Sequence, residues 1–433
     1  MPFAAEKQDM ANQIAKSNIR RRQPGRSAQP AHLKFGGQST DYSMVFIVLF
    51  LVTFGLVMLY STSSYEAGIE FGDAAHYLKK QLFATALGLG GMLFMSRVPY
   101  LVWEKLAWGI YIASVILVLM IIPFGTSANG AKRWIYFGPV SVQPAEFSKL
   151  AVIIVTAMLI TRCGPQGLRY LKNCGLVLLP AVIQAIMIYF ITRNLSSAII
   201  ILAIAGGMLF VAARDYWRFF ALFGLIAVAA VGAVALALET SVSDSNFRFK
   251  RILVWMDPAK YADDTGFQTL QALYGIGSGG LFGKGLGQSM QKLGYIPEAQ
   301  NDMIFSIICE ELGLFGAVSI ILLFAILTWR LRDIAMQAAD LYGSLLVTGV
   351  MTHIAVQVIL NIAVVTNAIP NTGVTLPFFS YGGTSVLFLL AEIGLVINVS
   401  RTRLVMSKPA DRRRQENRSG NRRSHAKGSQ SRA

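Results

Sequence analysis

Residues 43–62 read SMVFIVLFLVTFGLVMLYST, a run with no charged side chain. A helix needs about 20 apolar residues to cross a bilayer core, so this stretch reads as a membrane span. Working outward, nine further apolar segments follow, at roughly 81–98, 106–124, 145–161, 174–192, 195–213, 219–238, 303–329, 342–364 and 381–400. The whole sequence agrees with that reading. Hydrophobic residues make up 54% of it and charged residues only 14%, where a soluble chain carries roughly a quarter charged. The fold class expected is an all-α polytopic membrane protein of about ten transmembrane helices. No apolar h-region precedes residue 40, so the first span is expected to be an uncleaved anchor.

Charge orients the spans. The net charge is +16, of which residues 1–40 contribute +5 and residues 401–433 contribute +9. Beside membrane spans the positive-inside rule accounts for such tails, and nucleic-acid binding is set aside. An even number of spans returns both tails to one side, so both termini are expected in the cytoplasm. Arg97 with Lys105, Arg162 with Arg169 and Lys172, Arg214 with Arg218, and Arg330 with Arg332 then fall in inner loops. The organisation expected is a basic tail at 1–42, a membrane domain at 43–400 with a large outer loop at about 239–302, and a basic tail at 401–433.

Two outer loops carry cations against that rule. One holds Lys132 and Arg133; the long loop holds Arg248, Lys250, Arg251, Lys260, Lys284 and Lys292. Either they bind an anion or a long loop escapes the charge rule. The long loop interleaves aromatics with glycines, and pieces such as 267–276 are too short to span, which suggests re-entrant or interfacial helices over a cavity. Its Gly275, Gly277 and Gly280 match a dinucleotide fingerprint by spacing only, for no strand precedes them. Gly283-Lys284 likewise fails as a phosphate loop, because Gly285 stands where a magnesium-binding hydroxyl belongs. Cys163, Cys174 and Cys309 are spaced neither for a disulfide nor for a metal site.

Charges at membrane depth are costly and therefore informative. Glu146 and Lys149 share one face of the fourth span and could neutralise each other. Asp302 stands just before the eighth span, where a helix cap needs an acceptor. Glu310, Glu311 and Glu392 lie deeper, and His353 reads as a buried hydrogen-bonding residue. Arg133, Glu146, Lys149, Asp302 and the segment 370–385 all belong to the outer side. An acid, several cations and a membrane setting fit glycosyl transfer from a lipid-linked pyrophosphate, and they fit other lipid-phosphate chemistry too.

Longer motifs choose between these. PNTGVTLPFFSYGGTS at 370–385, ANGAKRWIYFGPVSVQPAEFSKL at 128–150, the block from Gly266 to Gly313 and the weaker YSTSS at 60–64 closely resemble the SEDS family of FtsW, RodA and SpoVE proteins, over about 43–400. The resemblance implies a peptidoglycan glycosyltransferase that polymerises lipid II into a nascent glycan strand on the outer face of the bacterial cytoplasmic membrane. It also implies a class B penicillin-binding protein transpeptidase and other division proteins as partners. Asp302 matches the family's catalytic aspartate and would act as general base in one inverting displacement. Arg133, Lys149 and Arg251 are the candidates for the pyrophosphate, Trp134 and Gln143 for shaping the cavity, and Glu146, Gln271 and Ser380 for further substrate contacts. No metal ligands or definite cofactor are expected, and a divalent cation is left open. The chain departs from the family at Gln300-Asn301 and at Thr192–Ser197, and its 297–299 PEA run and long tails look more like the division or sporulation branch. A lipid II flippase and a non-enzymatic division scaffold are the competing readings.

Overall fold

The computed structural model describes residues 41–128, 131–137, 140–213, 217, 247–262 and 266–402. The expected span at 219–238 and nearly all of both basic tails lie outside the described residues. The other nine expected segments fall on helices: α1 (Tyr42–Phe71), α2 (His76–Arg97), α3 (Tyr100–Leu119) with the short α4 (Ile121–Phe124), α5 (Pro144–Gly167), α6 (Leu171–Thr192) and α7 (Leu195–Ala212). In the long loop come α8 (Phe247–Met256), a 3-10 turn at Pro258–Tyr261 and α9 (Phe267–Ser278). The bundle closes with α10 (Ile304–Met336), α11 (Leu341–Val365) and α12 (Gly383–Arg401).

Eight of the described helices are long and apolar enough to cross a membrane. The eight do not include α2, whose apolar stretch is framed by Lys79, Lys80 and Gln81 at one end and Arg97 at the other. It is held instead by close packing on α12. A Cβ on Gly88 would stand 2.8 Å from Leu390 Cδ1, and one on Gly394 would stand 2.4 Å from the Met92 carbonyl. Small residues let the two backbones meet where lipid supplies no hydrophobic drive for association. The outward faces of α1, α6 and α10 show large apolar side chains such as Phe46, Phe190 and Phe315, as surfaces bathed in lipid should.

Helix starts follow local chemistry. Asp41 accepts from the Met44 amide, Asn194 from Ser197 and Asp340 from Gly343, each satisfying an orphan N–H of a first turn. Arg330 bonds Asp41 at 3.0 Å, Tyr100 bonds Asp340 and Arg401 bonds the Ser96 carbonyl, which closes one end of the bundle.

At the opposite end the helical bundle carries one small addition, a three-stranded antiparallel sheet of β1 (Thr126–Ala128), β2 (Ala131–Phe137) and β3 (Val140–Val142), in the order β1-β2-β3. Ile135 pairs with Val142 and Trp134 with Thr126. The strands are too short to carry a legible alternation, and β2 alone has the aromatic and β-branched run that favours a pleated surface.

α10 is broken at Gly313 (φ 66, ψ −166). There the loop after α9 inserts its backbone. Lys284 and Gly285 donate to the carbonyls of Glu310 and Glu311, and Leu314 and Phe315 donate to those of Gly280 and Leu281. Non-helical backbone is tolerated at this depth because protein groups satisfy it.

Candidate active site

The segment between α11 and α12 has no ladder of its own, so other elements hold it. Ser196 bonds the Thr372 carbonyl, Arg251 donates to that of Asn371 at 3.1 Å, and the Tyr381 amide donates to the Gln300 carbonyl at 2.8 Å. With β2, the start of α9 and the stretch 297–302 it encloses a cavity of about 610 Å³.

Asp302 lines this cavity, half-buried. It does not cap α10: that position belongs to Met303, and no side chain caps the helix. No other side chain among the described residues bonds the Asp302 carboxylate. Gly373 also lines the cavity, and a Cβ added there would come no nearer than 3.9 Å to Asp302 Oδ2, an ordinary van der Waals distance. Burial pushes its pKa up to about 6; its own backbone N–H pulls down, Glu298 pushes further up and Arg251 opposes. A carboxyl in that range can hold and release a proton near neutrality.

Five of the nine residues expected to act in the site meet at this cavity: Asp302, Arg133, Trp134, Gln143 and Arg251. Arg133 is anchored through Nε to the Thr192 carbonyl at 3.4 Å. The other four do not line it. Glu146 and Lys149 form a buried ion pair at 2.7 Å, and Lys149 also reaches Gln357 Oε1 at 3.4 Å. Ser380 is buried and accepts from the Leu376 amide, stapling a turn. Gln271 sits half-buried on α9, while Gln268, one turn earlier, faces the cavity.

Tyr136, Asn194, Gln268, Glu298, Asn301, Asn371, Thr375 and Tyr381 also line the cavity and were not among the expected site residues. Most stand inside motifs already singled out, but nothing in a motif says which side chains point inward. Among the described residues no group of three or more His, Cys, Asp or Glu side chains gathers to hold a metal. Glu298 and Asp302 are the two carboxylates at the cavity, and a divalent ion there would need substrate phosphates to complete its shell.

Beside the cavity runs an apolar groove of about 520 Å³ between α2, β3 and α12, lined by Phe83, Ala84, Leu87, Val142, Leu387 and Phe388, with Lys79 and Lys80 also in its wall. Ser141, Tyr381 and Gly383 belong to both spaces, so groove and cavity are neighbours across Tyr381.

The profile of the cell cycle protein family FtsW/RodA/SpoVE matches residues 42–404. The chain belongs to the FtsW/RodA/SpoVE family. Among FtsW/RodA/SpoVE relatives, stage V sporulation protein E of Bacillus subtilis is 40% identical over 84% of this chain and 97% of its own length. A protein named probable peptidoglycan glycosyltransferase FtsW, from Trichlorobacter lovleyi, is 36% identical over 83% and 93%. Among solved structures, a chain of a peptidoglycan synthase complex described as coordinating polymerization and crosslinking superposes with a TM-score of 0.69. That chain is 29% identical, over 85% of this one and 99% of its own. The rod shape determining protein RodA of Thermus thermophilus gives 0.61 at 27% identity, over 84% and 98%. The likeness to these membrane proteins extends over the whole bundle.

Proposed function

We propose that this chain is a peptidoglycan glycosyltransferase that polymerises lipid II at the outer face of the cytoplasmic membrane. The observation that carries the reading is Asp302, a carboxyl with raised pKa in a cavity that also holds Arg133 and Arg251 and adjoins an apolar groove. Asp302 takes the proton of the acceptor sugar's 4-hydroxyl as that oxygen attacks the anomeric carbon of the donor. The new C–O bond forms as the bond to the polyprenyl pyrophosphate breaks, with inversion and no covalent intermediate. One base suffices, because the leaving group departs as an anion that the two guanidinium groups stabilise. The polyprenyl chain lies along the apolar groove, which keeps the reacting headgroup at the mouth of the cavity.

A class B penicillin-binding protein transpeptidase, other division proteins, a septal location and a division or sporulation role belong to the same reading. So does the domain plan, with both basic tails inside. Reconstituting the full chain in liposomes with lipid II and a cognate transpeptidase tests it. Glycan polymer is expected. Movement of labelled lipid II between leaflets without polymer would replace this reading with a flippase, and neither activity would leave a scaffold.

A further inference from the structure

His353, Gln357 and Asn361 recur every four residues along α11, so they form one polar stripe along the helix. All three are buried. Asn361 Nδ2 spends both hydrogens on main-chain carbonyls, that of Asp302 at 2.8 Å and that of Val374 at 2.7 Å. Its Oδ1 has no partner although it is buried, a costly arrangement that isolates the donor as the useful half of the side chain. One turn earlier Gln357 Nε2 donates to the carbonyl and hydroxyl of Thr375, at 3.1 and 3.2 Å. Gln357 Oε1 takes Lys149 at 3.4 Å and faces His353 Nε2 at 2.9 Å, while His353 Nδ1 lies 2.8 Å from Glu392.

The stripe therefore fixes two pieces of irregular backbone to one rigid helix. Val374 follows Gly373, which lines the cavity with Asp302. We propose that Asn361 is a positioning residue for the reaction, tying the peptides of Asp302 and Val374 to α11 so that the carboxylate keeps its place in the cavity. Gln357 is the second rung, braced by His353 and Glu392. The inference rests on Asp302 being the base. The charged and titratable groups around the stripe are Glu146 and Lys149 on α5, His353 on α11, Glu392 on α12, and Asp302, Glu298 and Arg251 at the cavity.

The test is steady-state polymerisation by the full chain with its transpeptidase in liposomes, from pH 5 to pH 8. A misplacement of about an ångström can cost roughly a hundredfold, so Asn361→Ala should lose about 10- to 100-fold in kcat, with KM for lipid II within about threefold. Its acidic limb should move below that of the wild type, because a carboxylate whose peptide is no longer tied down is better hydrated. A merely structural role would lower the amount of active protein and leave the limb in place. Asn361→Asp keeps the shape, but ionised it cannot donate; its rate relative to wild type should be low at pH 8 and rise towards acid. Thr366→Val, at the exposed hydroxyl of the residue that ends the same helix, should change nothing. Wild-type kcat and an unmoved limb in Asn361→Asp would overturn the proposal. Full activity of Asp302→Asn would instead remove the base assignment, so the two failures are distinguishable.

Discussion

Asp302 and the neighbouring acids Glu310 and Glu311 stand on one stretch of chain, yet their surroundings are opposite. Glu310 takes Lys284 at 2.7 Å, the Ser289 hydroxyl and the amides of Met290 and Gln291. Glu311 takes Lys292 at 3.0 Å and Ser61 at 2.8 Å. Both are fully buried and saturated with donors, and together they pin the loop after α9 onto the break in α10. Asp302 faces the cavity with a raised pKa, and among the described residues no donor side chain bonds its carboxylate. A charge in a membrane protein costs free energy either way. Where partners offset the cost, the charge builds the fold; where the offset is only partial beside a cavity, the group is available for chemistry.

The comparison makes crossed predictions. Lys292→Met leaves Glu311 buried without its cation, and breaking a buried pair costs about 3–5 kcal/mol, so the melting temperature in detergent should fall sharply. Asp302→Asn should melt like the wild type. Next in size is the pH dependence. The base must be ionised, and its pKa is raised to about 6, so polymerisation should fall about tenfold per unit below that pH, not below 4. Glu298→Gln removes the negative charge that helps hold the proton on Asp302 and should shift this limb to lower pH. Arg251→Lys forfeits the planar fork suited to a pyrophosphate. Hydrogen bonds to charged groups contribute about 1.5–3 kcal/mol, so KM for lipid II should rise roughly tenfold or more. The smallest effect is expected for Lys284→Met. That lysine is about a third exposed and Glu310 keeps its other donors, so the loss should stay near 1 kcal/mol or below in a thermal melt.

The described helices were legible because each needs only length and apolar composition, and the basic tails suggested a direction for them. The sheet was not, since strands such as Thr126–Ala128 are shorter than any pattern that could reveal them. Topology put Glu146 and Lys149 at the right end of the bundle but could not tell a cavity wall from the packed interior beneath it. The same limit separates Gln271 from Gln268, one helical turn apart. Asp302 was visible as an acid at a helix start, where capping is the ordinary explanation; only the geometry at Met303 removes the cap. Asn361 gave no sign in the sequence, because a buried amide is informative only once the carbonyls it bridges are known.

The most direct measurement is the rate of glycan formation by Asp302→Asn in liposomes with lipid II and the transpeptidase, set against wild type of equal thermal stability. General-base catalysis is worth about 10²–10⁴ in rate, so the variant should lose at least a hundredfold. Polymer made at the wild-type rate would contradict the account.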